Sequence, residues 1–276
     1  MIKARRILSL AIGLLLCTTT MPAHGDMLGT RPVLPDFSSA VFDNPLVIDN
    51  PYFPLVPGTT TRFHVEAVDL QTGEAENETI LVEVLHGTRV VAGIESRIVR
   101  DRVFVDGLVI EDTFDWYAQD NGGNVWYVGE DVTDFEYDDD GNLIGTSHPG
   151  AWEAGVDGAR PGYIMEANPQ VGDHYYQEFY AGVAEDEGKV LGLGETLTIP
   201  LRTYRNVLRT ADLGLETDAF AHKFYAPGIG LIAEQEFLAR TGELIESVRL
   251  VPEPACGWLL AAGGLALCRR RRGRIR

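Results

Sequence analysis

The stretch 26–250 contains no cysteine; the three in the chain, Cys17, Cys256 and Cys268, lie outside it. That excludes a disulfide framework, a thiol nucleophile and a cysteine-based metal site from the central domain. Positive charge is also scarce. Of the 41 acidic residues 40 fall in 26–250, against 14 of the 23 Lys and Arg, so this stretch is far more acidic than the whole-chain net charge of −18. Such a body repels nucleic acid and anionic lipid, and it favours solubility and association with cations. His64, His86, His148, His174 and His222 form no H-x-H or HExxH pair, so no histidine metal motif is present. The serine-hydrolase elbow G-x-S-x-G is missing as well. Ser147 and His148 are adjacent, and adjacent side chains of an extended chain point to opposite faces. No twelve-residue window carries a helical apolar stripe.

What the chain does carry is a period of two. Phe63, Val65 and Ala67 alternate with Arg62, His64 and Glu66; Ile80, Val82 and Val84 continue it, then Val99, Val103 and Val105. Turn signals recur at Thr72-Gly73, His86-Gly87, Asp106-Gly107, Asn121-Gly122-Gly123-Asn124, Asp140-Gly141-Asn142 and Thr241-Gly242. This spacing predicts an all-β antiparallel meander over 59–250, a curved sheet, half-barrel or sandwich, with a long irregular loop at 145–170. Ahead of it, 26–58 is dense in proline (Pro32, Pro35, Pro45, Pro51, Pro54, Pro57), which forbids helix and most ladder pairing. Phe37, Phe42, Tyr52 and Phe53 are interleaved there, and the segment is expected to wrap over the core and fill its apolar grooves with those rings. Glu185-Asp186-Glu187 reads as an exposed turn.

Both ends read as addresses. Lys3, Arg5 and Arg6 precede the apolar run 7–17, and Ala23-His24-Gly25 supplies a small-x-small cleavage site, so 1–25 is a signal peptide. Leu rather than Gly or Ala precedes Cys17, which argues against lipidation there. At the other end, Val251-Pro252-Glu253-Pro254 is expected to be exposed, non-helical backbone. The charge-free run 255–268 is short against the ~20 residues of a typical spanning helix, which suits a transient transmembrane helix. Arg269 to Arg272, with Arg274 and Arg276, form a cytoplasmic stop. These three parts of 251–276 resemble the PEP-CTERM sorting signal of Gram-negative bacteria. The resemblance implies recognition by an exosortase-type membrane enzyme after the export machinery, removal of the tail, and delivery to the outer surface or the exopolysaccharide matrix. Cys256 and Cys268 flank the apolar run and serve either as lipid attachment points or as small apolar residues.

Candidate chemistry is thin. Trp116 and Trp126 form a predicted hairpin that is held by cross-strand aromatic pairs or offers a sugar-stacking platform; Trp152 lies nearby as a third candidate. Glu136, Asp138, Asp140 and Gly141 fall at positions one, three, five and six of an EF-hand-like Ca²⁺ loop, but the twelfth position is Ser147 and no helices flank it. An ordinary solvated hairpin turn explains the same residues, so no cofactor is required. The 145–170 stretch holds His148, Glu153, Asp157, Arg160 and Glu166, the natural place for any catalytic carboxylate pair such as Glu153 and Glu166. The corner Tyr225-Ala226-Pro227-Gly228-Ile229-Gly230-Leu231, the lead-in at 50–58, the paired-Trp hairpin and Trp152-Glu153-Ala154-Gly155-Val156-Asp157-Gly158 resemble a family of uncharacterised bacterial secreted proteins. The corner also looks like that of curved half-barrel lipoprotein carriers. The expectation is an exported, non-enzymatic β domain that binds glycan or an amphiphile; the alternative is a secreted hydrolase using carboxylates of 145–170.

Overall fold

The computed structural model describes residues 31–68, 75–138, 140–214 and 219–252. The signal segment, Thr72-Gly73 and the tail from Glu253 onward lie outside the described residues. After one short 3₁₀ turn, Phe37–Ser39, the described chain is all strand, turn and loop. In order the strands are β1 (Thr60–Val68), β2 (Ala75–Val91), β3 (Ile94–Val105), β4 (Leu108–Gln119), β5 (Val125–Tyr137), β6 (Leu143–Ser147), β7 (Trp152–Glu153) and β8 (Arg160–Met165). Then follow β9 (His174–Tyr176), β10 (Glu178–Phe179), β11 (Glu187–Ile199), β12 (Arg202–Leu213), β13 (Ala219–Ala226), β14 (Gly230–Leu238) and β15 (Leu244–Val251). No helix among the described residues is long and apolar enough to cross a membrane.

All the ladders between these strands are antiparallel, and they run β10-β8-β5-β4-β3-β2-β1-β15-β14-β13-β12-β11-β9, with β6 and β7 also on β5. The meander is interrupted at its centre, where first strand β1 lies against last strand β15. The hydrogen-bonded order is open, yet its two ends meet. β9 pairs with β11 and β10 with β8, and only Gln177 separates β9 from β10. Tyr163 of β8 and Tyr175 of β9 stand edge to face at 6.2 Å. In a flat sheet twelve spacings of ~4.8 Å would hold the ends far apart, so the sheet is strongly curved.

Local chemistry sets the turns. Asp106 and Gly107 both take positive φ (50° and 84°) between β3 and β4, the twist-matched two-residue hairpin that an Asp-Gly pair favours. At the β4–β5 turn the Asp120 carboxylate accepts from Asn124 N and Nδ2 and from the Trp126 indole Nε1, each at 2.9 Å. Ahead of β1, Phe37, Phe42, Tyr52 and Phe53 pack on the main core around Trp116, Trp126, Trp152, Met165 and Leu208. Phe37 meets Trp126 edge-on at 5.0 Å.

Four local expectations are revised. His86-Gly87 is not a turn; β2 runs through it, and a register shift between Val84 and Thr88 absorbs the glycine as a bulge. The 145–170 stretch contains the end of β6, then β7 and β8, because β5 is long enough to pair with all three. The acidic run 185–187 is not wholly exposed, since Glu187 is buried and bonded to His174 Nε2 at 2.9 Å. Val251 is half-buried at the end of β15, paired with Arg62 of β1, so only Pro252 of the described motif residues is exposed.

Candidate functional site

Strand alternation places Asp101 in phase with Val99 and Val103 on the inward face of β3. Register carries the row onward: Asp101 faces Thr113, Asp115 faces Glu130, and Tyr117 faces Tyr127 across β3, β4 and β5. Tyr117 and Tyr127 stack at 5.0 Å. Like charges directly opposite in a ladder repel, and this pair is enclosed. Burial, with Asp115 next to it, holds the Glu130 carboxyl well above its usual range. Burial likewise lifts Asp115 to about 6, against the opposing hydrogen bond from Tyr127 and the charge of Lys223. Asp101 is raised by burial and by Asp115 and Glu111.

Glu178 of β10 reaches the same group. It is 2% exposed, and its Oε2 has no hydrogen-bond donor. Burial, then Asp186 and Glu130, push its carboxyl well up; the Trp152 indole opposes this weakly, its N–H falling short of good hydrogen-bond geometry.

The opposite wall carries a cation. Lys223 of β13 lies 2.9 Å from Asp212 Oδ2 of β12 and faces Glu234 of β14 in register. Burial pulls its ammonium down, but Asp212 and Glu234 overcome that and push it up. Burial takes Glu234 to about 7, with Lys223 opposing. Thr210 Oγ1 and Gln177 Nε2 donate to Asp212 at 2.7 and 3.1 Å. Asp115 and Lys223 feel each other although six ladders separate β4 from β13, a separation of ~29 Å in a flat sheet. The curvature therefore turns two polar rows toward one interior, where fixed carboxyls can hold protons or meet a cationic group. Among the described residues, no three His, Cys, Asp or Glu side chains are placed to hold a metal ion.

The residues expected from sequence lie elsewhere. Trp116, Trp126 and Trp152 are buried, with the Arg89 guanidinium 4.0 Å over the Trp116 ring, so they form core contacts and not an outer stacking platform. In the acidic turn, Asp138 Oδ1 accepts from Asp140 N and Asn142 N, which fixes the hairpin; Glu136 and Asp140 are exposed beside it. The catalytic candidates are strung along β5. His148 Nδ1 lies 2.7 Å from the Val132 carbonyl, Glu153 pairs with Gly129 in register, and Glu166 follows Met165, which pairs with Val125. Seven residues of strand span ~23 Å, too far for a joint site. Glu153 is instead held by Arg89 at 2.6 Å. Glu166 is raised to about 8 by burial and by neighbouring Asp173. The inward carboxyls went unread in the sequence, although Asp101 sits in the same alternating phase as the valines around it.

No protein-family model matches the chain, and no curated protein matches it. Two solved structures align over most of the fold. One is of a protein described as exported, with a YmcC-like fold, from Bacteroides fragilis: 12% identity, TM-score 0.39, covering 73% of this chain and 97% of that one. The other, from Parabacteroides distasonis, is of a protein described as a lipoprotein: 10% identity, TM-score 0.35, with the same coverage of each chain. Likeness at that level carries nothing from those proteins to this one.

Proposed function

We propose that this is an exported β-domain protein, sorted by its tail to the outer surface or exopolysaccharide matrix, which acts there by binding glycan and not by catalysis. The observation that carries the reading is the junction at Val251. Central strand β15 ends on the first residue of the Val251-Pro252-Glu253-Pro254 motif, so processing beyond that point leaves every described strand in place. The scatter of His148, Glu153 and Glu166 along β5 speaks against the hydrolase alternative. An amphiphile is disfavoured because Asp101, Asp115, Glu130 and Glu178 interrupt the apolar lining of the concave face.

A different aromatic group suits a sugar ring. On the face of β13–β14 opposite Lys223, Phe220 and Phe237 stack at 5.4 Å with His222 beside them, all three half-buried. Saccharide C–H groups pack on such rings as other apolar surfaces do. The test is expression of the full chain with and without an exosortase-type enzyme, followed by glycan-array binding of the released product. A shortened, surface-delivered protein whose glycan binding is lost in Phe237→Ala is expected. An uncleaved cytosolic product, or array binding indifferent to Phe237, overturns the reading.

A further inference from the structure

The rings that suit a sugar belong to a larger pattern. On the outer face of β13, β14 and β15, register sets two rows side by side across the strands. Phe220 faces Phe237, and Phe237 faces Leu244, which is exposed. Beside that row, His222 faces Gln235, and Gln235 faces Ser247. Glu66 of β1 faces Ser247 in turn and ends the second row. The first row is apolar and the second is polar. The His222 ring joins them, 5.4 Å from Phe220 and 5.2 Å from Phe237. Every one of these side chains is half-buried or exposed, whereas Lys223 and Glu234, out of phase with them, are buried on the interior face.

The charges around the rows are already paired. Glu66 is ion-paired with Arg249, and His64 lies 3.8 Å from the same oxygen. Arg209 is bonded to Glu195 at 3.1 Å. Lys189, past Ala211 at the far end of the polar row, has a partner as well. Burial, then Arg209, push the His222 imidazole down, so in neutral solution it is uncharged and both donates and accepts.

The main chain is committed too. β13, β14, β15 and β1 each pair on both sides, so an extended peptide finds no edge to lengthen. A ligand on this face meets side chains alone. Pyranose rings suit both rows at once: their C–H faces pack on the apolar row, and their hydroxyls exchange hydrogen bonds with the polar one. A carboxylate- or sulfate-bearing glycan meets cations that are already paired, on a strongly acidic domain that repels it.

Resting on the glycan reading above, we propose that the outer face of β13–β15 is a two-row track for a neutral oligosaccharide laid across the strands. From His222 to Glu66 the polar row crosses three strand spacings, ~14 Å, about the length of a trisaccharide.

The track is tested by binding of the full chain to an array that holds neutral glucans, mannans and galactans beside oligogalacturonides and sulfated galactans. Binding is expected among the neutral members only, with affinity rising up to the trisaccharide and level beyond it. Raising the salt concentration should change that affinity less than about twofold, since no ion pair forms. Gln235→Ala should weaken it about fivefold, the loss of one neutral hydrogen bond. No binding, or binding indifferent to Phe237→Ala, removes the glycan reading and the track with it. Phe237-dependent binding of the acidic glycans keeps the glycan reading and overturns the track, as does Phe237-dependent binding that Gln235→Ala leaves unchanged. Should Gln235→Ala not fold, wild-type affinity that falls steeply with salt overturns the track equally.

Discussion

Asp115 and Glu130 face each other across the β4–β5 ladder with the hydroxyl of Tyr127 between them, 2.7 Å from one and 3.0 Å from the other. Burial raises both carboxyls, and the Tyr127 hydroxyl that bonds to each opposes the shift. That relationship sets the electrostatic character of the interior, and several expectations follow from it and its neighbours.

Stability should fall as the solution becomes alkaline. Asp115 and Glu234 have folded-state values of about 6 and about 7, and Glu166 about 8, all above the ordinary carboxylate range. Groups raised on folding bind more protons folded than unfolded, so stability is full below the unfolded values and is lost as pH climbs through the folded ones. Each costs at most about 1.4 kcal/mol per pH unit within its window. Thermal melts between about pH 4 and pH 8.5 should show a falling Tm; a rising one contradicts these assignments.

Lys223→Ala should be among the most damaging single changes. It strands Asp212 and Glu234, both buried, without their cation. Breaking a buried pair from one side costs about 3–5 kcal/mol, readable as a lower denaturant midpoint. Lys223→Arg keeps the charge and should recover part of that.

Gly162→Ala tests the close approach of β8 to Tyr176. An added methyl collides with backbone, including the Gln177 carbon at 2.8 Å, where no side chain can yield. A cost of about 1–3 kcal/mol is expected, with exchange rising at 174–179 before it rises elsewhere.

Asp120→Ala removes the acceptor of three hydrogen bonds in the β4–β5 turn and leaves the buried Trp126 N–H unpaired. Denaturant unfolding should report a loss of about 2–3 kcal/mol, together with a shifted Trp emission.

Glu153→Gln should be nearly silent. Its ion pair with Arg89 is partly exposed, so at most about 1 kcal/mol is expected. A glycan-hydrolysing activity of the wild type that this variant abolishes would restore the hydrolase reading.

The strands and most hairpins were legible because alternation and Asp-Gly chemistry are local. Val99 and Val103 announced an inward face, and Asp106-Gly107 announced its turn. Asp101 lay in the same phase but passed unnoticed, since an acidic residue between valines ordinarily marks a solvated strand. What brings it to Asp115 and Glu130 is register across three strands, which no local pattern encodes. His86-Gly87 misled for the opposite reason: a turn-like dipeptide was absorbed as a bulge inside a long, well-paired strand. The tryptophans left two readings open, because rings large enough to bind sugar are also the ones a thin sheet needs to fill its core.

The β1–β15 ladder has a consequence for biosynthesis. Phe63 cannot meet Leu250 until nearly the whole chain has left the ribosome, so the middle of the sheet is the last part to close. Long-range pairing of this kind is slow and leaves the nascent chain loosely structured meanwhile. On the proposed export, translocation that begins before residue 251 is made therefore meets no finished sheet to pull apart.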